Sequence, residues 1–112
     1  MTHTMKLQPD YYNYILKGTK RIELRLNDEK RKNIKIGDTI TFLKEPDLTE
    51  SFETKVTGLL NYATFSDLFD DFDISILSDS SMTKLELLNV LQKFYTEDMQ
   101  SKYGVLGIRF KL

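Results

Sequence analysis

Lys20, Glu23 and Arg25 are the side chains of this sequence best placed to do chemistry, because three ionisable groups fall within one short stretch after Gly18 and Thr19. Arg25 offers a planar fork that matches a phosphate or carboxylate, and Lys20 a mobile point charge. Glu23 could orient either cation, accept a hydrogen bond from the exocyclic amine of a base, or act as a general base. Two cations beside it favour the ionised carboxylate, hence orientation over proton transfer at neutral pH. If the chain is an enzyme, Lys20 and Glu23 are its candidate catalytic pair. The competing reading is an exposed ion network on a sheet surface, worth little to stability.

The elements that must position these groups are legible around them. Ile22, Leu24 and Leu26 alternate with Arg21, Glu23 and Arg25, which predicts a strand over residues 20–26 with one buried face and one charged face. Before it, Pro9 suits a helix's first turn, Tyr11/Ile15 and Tyr12/Leu16 are i,i+4 pairs, and Gly18 can end the helix in the left-handed conformation. Met5-Lys6-Leu7 is a short strand candidate, with His3 in a frayed N-terminus. Residues 27–35 read as a polar, basic loop or a single helical turn. Ile36-Gly37-Asp38 turns into an alternating strand through Phe42, and Pro46 marks another turn. A further strand spans 52–62, with Phe52, Val56 and Leu60 expected inward and Gly58 a candidate bulge. Thr64-x-x-Asp67 and Thr83-x-x-Glu86 resemble capping boxes opening helices, and Thr96 can cap a short helix over 97–102. Leu85, Leu88, Leu91 and Tyr95, with Leu87 and Phe94 alongside, form a stripe expected to lie in the core. A closing strand is expected over 103–112. Short strands separated by irregularly inserted helices predict an α+β domain, a small, partly closed β-barrel of about five strands.

Composition narrows the chemistry. The 112 residues suit one domain over 1–112 with one core, and 40% hydrophobic against 29% charged residues is the balance of a globular chain. There is no cysteine and one histidine, so thiolate metal sites, disulfides and a His-based triad lack their parts. No metal and no cofactor are expected. No apolar run approaches the ~20 residues of a membrane span and no secretory leader is evident, so the expected setting is cytoplasmic and away from membranes. The net charge of -1 is unevenly spread: residues 1–44 carry ten Lys/Arg and five Asp/Glu, the remainder six and twelve. The first part could present a positive field to phosphates, unless folding interleaves the two. Lys30, Arg31, Lys32 and Lys35 could follow a nucleic-acid backbone or be solvated, while Arg21 reads as a surface charge. Tyr11, Tyr12, Tyr14, Tyr62 and Tyr103 are candidates for stacking on a base, Tyr103 foremost because it precedes the closing strand. Asp67, Asp70, Asp71 and Asp73 lack the order and glycine of a calcium loop and read as solvated surface.

Taken together, Gly18-x-Lys20-x-x-Glu23-x-Arg25, Ile36-Gly37-Asp38 and Lys102-Tyr103-Gly104-Val105-x-Gly107-Ile108 resemble the ASCH family in residues, order and spacing. The resemblance implies a PUA-like small β-barrel and a cleft that binds RNA or a nucleotide-like ligand, lined by the signature. It puts Gly18, Thr19, Lys20, Glu23, Arg25 and Tyr103 forward as ligand-binding residues. One bacterial branch of the family hydrolyses the acetyl amide of N4-acetylcytidine with a lysine matching Lys20, a threonine nucleophile and a glutamate before the long helix. This chain has Glu23 where that threonine stands and Ser80 in place of that glutamate. A carboxylate does not replace a hydroxyl that forms an acyl ester, so an amidohydrolase would need Thr19 or a water activated by Glu23. The alternatives are therefore an amidohydrolase on such modified nucleosides, a ribonuclease using Lys20 and Glu23 with a tyrosine, or a non-catalytic protein-interaction module.

Overall fold

A computed structural model describes residues 1–112. Five strands, β1 (Thr2–Leu7), β2 (Ile22–Leu26), β3 (Thr39–Lys44), β4 (Ser51–Tyr62) and β5 (Val105–Lys111), form one sheet in the order β1-β3-β4-β5-β2. The β1–β3 pair is parallel and the other pairs are antiparallel. Helix α1 (Pro9–Lys17) lies between β1 and β2. Between β4 and β5 come α2 (Phe65–Asp71), α3 (Ile74–Leu77), α4 (Lys84–Phe94) and α5 (Glu97–Tyr103). The sheet curls into a half-barrel of the PUA-like type, an α+β fold. Its two edges, β1 and β2, are linked by a side chain, because Arg25 Nη2 donates to the Lys6 carbonyl at 2.9 Å.

The curl gives the sheet two buried faces. Met5, Leu7, Ile40, Phe42, Val56, Leu106, Ile108 and Phe110 fill the concave side, plugged by Tyr12 and Ile15 of α1. Ile22, Leu24, Leu26 and Val105 point the other way, under Phe65, Leu68, Phe69, Leu77 and Leu87 from the inserted helices. In β2 the register sets Glu23 opposite Ile108 and Arg25 opposite Leu106, so both charged side chains project to the concave side. The charged face of β2 is therefore not solvated: Glu23 is 5% exposed.

Local signals explain most element ends. Pro9 opens α1 and Gly18 ends it at φ 90°, its N–H bonding the Ile15 carbonyl. Thr83 and Glu86 close both halves of the capping box at α4, whereas Thr64 caps α2 through its own hydroxyl alone. Several expectations are corrected. The N-terminus is not frayed: His3 lies in β1, its Nε2 2.8 Å from Asp38 Oδ2, and the Met1 amine is 3.3 Å from Oδ1 of the same carboxylate. The bulge between Val56 and Gly58 shifts the parity of β4, so Leu60 packs under the helices while Val56 faces the concave core. The acidic residues Asp67, Asp70, Asp71 and Asp73 are exposed as expected, and Asp73 also caps α3 by accepting from Ser75 N. Asp71 accepts a hydrogen bond from the Tyr62 hydroxyl. Along α4 only Leu87 is fully buried; Leu85 and Phe94 are 67% and 53% exposed. No helix is long and apolar enough to cross a membrane.

Candidate ligand-binding site

Lys20 sits in the turn between α1 and β2 and is only 3% exposed. Its ammonium donates to the Ile22 and Leu77 carbonyls, each at 2.7 Å, and lies 3.3 Å from Glu23 Oε1. Three N–H groups thus meet three acceptors, and one of these ties the α1–β2 turn to the end of α3. The Tyr11 ring centre is 5.8 Å from the same nitrogen. Arg25 takes the other oxygen of Glu23, with Nε at 2.9 Å and Nη2 at 2.8 Å from Oε2.

Electrostatics fix the protonation of this triad. Burial pulls Lys20 below its ordinary value, and Glu23 works against that pull. Burial alone would raise Glu23, but Arg25 and Lys20 together outweigh it and hold the carboxylate below its usual range. For Arg25, burial opposes the charge, while Glu23 and then Tyr95 more than offset it. Glu23 is thus an ionised acceptor with a donor on each oxygen, as its two neighbouring cations imply.

The triad forms one wall of a cavity of about 270 Å³. Tyr11 and Gln8 of α1 and Lys6 and Leu7 of β1 flank it, and Leu87, Val90, Leu91, Phe94 and Tyr95 form an apolar opposite wall. The C-terminal part of the α4 stripe, half-exposed Phe94 included, is therefore one side of a cleft rather than core, whereas exposed Leu85 lies outside the cleft. At about 270 Å³ it lies just below the ~300–1,000 Å³ of ordinary small-molecule pockets. No group of three or more His, Cys, Asp or Glu side chains converges to hold a metal ion.

The structure brings Lys20, Glu23 and Arg25 together but distributes the other candidates elsewhere. Gly18 caps α1 and lines a neighbouring depression, beside Arg21 and Lys111, that shares Lys20 with the cavity, and the Thr19 hydroxyl donates to the Tyr14 carbonyl at 3.2 Å. Tyr103 packs on the helical side of the sheet with Lys102 Nζ 5.1 Å from its ring centre, away from this cavity. Among the stacking candidates, Tyr11 reaches the cavity. Sequence reasoning missed Tyr95, Phe94, Gln8 and Glu45 as cavity residues. The half-polar ending of the α4 stripe in Phe94-Tyr95 was the available signal. It also missed Asp79, a buried carboxylate beside Ser80 whose Oδ2 accepts from the backbone N–H and hydroxyl of Ser81. Its hydrogen bonds from Ser81 lower its pKa. Asp79 does not line the cavity.

The ASCH domain family model matches residues 5–112, nearly the whole chain. The chain belongs to the ASCH family. This PUA-like family is often RNA-binding. Solved structures agree on the fold. The hypothetical protein PH0355 is 34% identical, with a TM-score of 0.87 over 99% of this chain and 98% of that one. Protein PF0455 from Pyrococcus furiosus is 30% identical, with a TM-score of 0.77 over 99% and 96%. A mutant of ZmASCH from Zymomonas mobilis is only 8% identical yet superposes with a TM-score of 0.70, over 99% of this chain and 68% of that one. No curated protein matches the sequence significantly.

Proposed function

We propose that this ASCH domain is a cytoplasmic RNA- or nucleotide-binding protein whose ligand enters the cavity beside Glu23 and Arg25. The observation that carries this reading is the pairing of two unlike walls. A buried, ionised Glu23–Arg25 couple faces the apolar side of α4, with phenols of Tyr11 and Tyr95 on the lining. Such walls suit a flat ring with a hydrogen-bonding edge: the ring stacks on aromatic and aliphatic carbon, and the edge meets the charged couple. Arg25 and Glu23 are the ligand-binding residues proper. Lys20, with every donor occupied, acts as a positioning residue that fixes Glu23.

Binding is favoured over acyl transfer by the cavity's own groups. Its hydroxyls are the two phenols, Glu23 is held ionised, and the Thr19 hydroxyl is turned to the Tyr14 carbonyl. The cavity itself therefore presents no activated nucleophile next to a base, and Thr19, which lies beside the Asp79 carboxylate, is outside it. The test is a mass-spectrometric panel of modified nucleosides, nucleotides and short RNAs, recording complexes and products, with Arg25→Lys as the comparison. Complexes without mass change, at least tenfold weaker in the variant, support the reading. Release of acetate from N4-acetylcytidine, or cleavage of RNA, replaces it with the corresponding hydrolase. No complex with any member of the panel leaves the protein-interaction alternative in its place.

A further inference from the structure

The mouth of the cavity at Glu23 and Arg25 carries polar side chains that the protein itself leaves unused: Lys6, Gln8 and Glu45. Lys6 and Gln8 are exposed and Glu45 is half-buried, so a ligand can reach all of them. None makes a side-chain hydrogen bond or an ion pair. Gln8 stands at the N-cap of α1, yet its amide caps nothing. The buried groups are spent by contrast, Lys20 on two carbonyls and Glu23, and Arg25 on Glu23 and the Lys6 carbonyl. The fold sets Gln8 beside Glu45. Leu7 and Lys44 pair in the parallel β1–β3 register, and the Glu45 N–H donates to the Leu7 carbonyl at 2.9 Å. The two side chains therefore leave adjacent strand ends, ~4.8 Å apart. Lys6 shares this mouth without pairing to Glu45, so cation and carboxylate are open to a ligand rather than to each other.

An ionised carboxylate accepts hydrogen bonds and donates none, so Glu45 needs a donor from the ligand. With a base's ring on α4 and its edge on Glu23 and Arg25, the sugar falls at the mouth. The phosphate of a nucleotide is ionised, so outside the base its donors are the ribose hydroxyls. We propose that Glu45, with Gln8 beside it, reads the ribose 2′-hydroxyl and so selects ribonucleotides over deoxyribonucleotides. The hydroxyl donates to the Glu45 carboxylate and accepts from the Gln8 amide, the two roles that distinguish RNA from DNA at a contact. Lys6 offsets the repulsion between that carboxylate and the ligand's own phosphate. This inference rests on the reading of the cavity as a nucleotide site. A free ribonucleotide and an internal residue of an RNA strand both carry the hydroxyl, and the chemistry is the same for each.

The test is calorimetric titration with the ribonucleoside 5′-monophosphates of A, C, G and U and their 2′-deoxy counterparts. A tetranucleotide of all these bases, made as RNA and as DNA with deoxyuridine, is titrated alongside. The expected result is an affinity at least tenfold higher for the ribo form of whichever base binds best. Glu45→Ala should remove that preference by weakening the ribo form at least tenfold, while the deoxy form holds or tightens. A preference seen with the tetranucleotides assigns the site to an internal RNA residue, and one confined to the monophosphates assigns it to a free nucleotide. Equal binding of ribo and deoxy forms, or a preference that Glu45→Ala leaves intact, overturns the 2′-hydroxyl contact and leaves the nucleotide site standing. Binding of no member of the set overturns both. The urea midpoint of Glu45→Ala should match that of the wild type, because the side chain bonds to nothing within the protein. If it does not, Glu45→Gln, which keeps the volume and loses the charge, supplies the comparison, and an unchanged preference there overturns the contact.

Discussion

Replacing Lys20 by methionine separates a structural tie from a ligand-binding hand. The substitution keeps the stem and removes the ammonium, leaving the Ile22 and Leu77 carbonyls and Glu23 Oε1 without their donor. Each orphaned buried acceptor costs ~1–3 kcal/mol, and removing one member of a buried ion pair costs ~3–5 kcal/mol; the two figures describe the same loss and do not add. Relief from burying the ammonium, and Arg25's continued pairing with Glu23, bring the expected net cost to about 3 kcal/mol. That is a large share of the ~5–15 kcal/mol that holds a domain together. In urea, at an m-value of ~2 kcal/mol per molar, the midpoint should fall by about 1.5 M with m unchanged. Glu23→Gln and the double variant complete a cycle, with an expected coupling of ~1–3 kcal/mol between the two sites. A midpoint loss below about 0.5 M, or zero coupling, would refute the argument that Lys20 is held by these three acceptors.

Three further outcomes are expected. Gly107→Ala should lower Tm by about 5–15 °C in calorimetry, a loss of ~1–3 kcal/mol. Its Cβ would stand 3.0 Å from Leu68 Cδ1 and 3.2 Å from Ile22 Cγ2, both fully buried; an unchanged Tm would mean that the layer yields freely. Phe94→Ala should change stability by less than ~0.5 kcal/mol, because the ring is half exposed, yet weaken a stacked ligand about tenfold by calorimetric titration. Asp38 is held at about 2, first by its hydrogen bond with His3 and then by the Lys35 N–H. Its folded value is depressed, so its stabilising contribution is complete above 3.8 and is lost as pH falls through about 2. Urea stability measured from pH 5 to pH 2 should therefore decline less steeply in Asp38→Asn than in the wild type, and parallel slopes would contradict the His3–Asp38 link.

How far the sequence could be read depended on whether a signal was local. Pro9, Gly18 and the Thr83–Glu86 box act within a turn of chain, and each sits where its chemistry requires. The pattern of short strands and inserted helices pointed to a small barrel, and the signature motif, the Gly37 turn and the closing strand carried the family. Long-range facts were hidden. Alternation in β2 shows two faces but not what covers each, and only the curl of the sheet turns Glu23 and Arg25 inward. Leu60 was misassigned because one extra residue before Gly58 reverses every later side chain in β4. The α4 stripe has core periodicity, but nothing local states that part of it borders a cavity. His3 needed Asp38, 35 residues away, to be seen as anchored.

Methyl-resolved NMR of the leucine and valine side chains, titrated with nucleoside monophosphates and a short RNA, tests the central claim most directly. The account predicts saturable shifts centred on Leu87, Val90 and Leu91, lost together in Arg25→Lys. Shifts confined to the basic turn of residues 30–35, or none at any concentration, would contradict a nucleotide site between α4 and the Glu23–Arg25 couple.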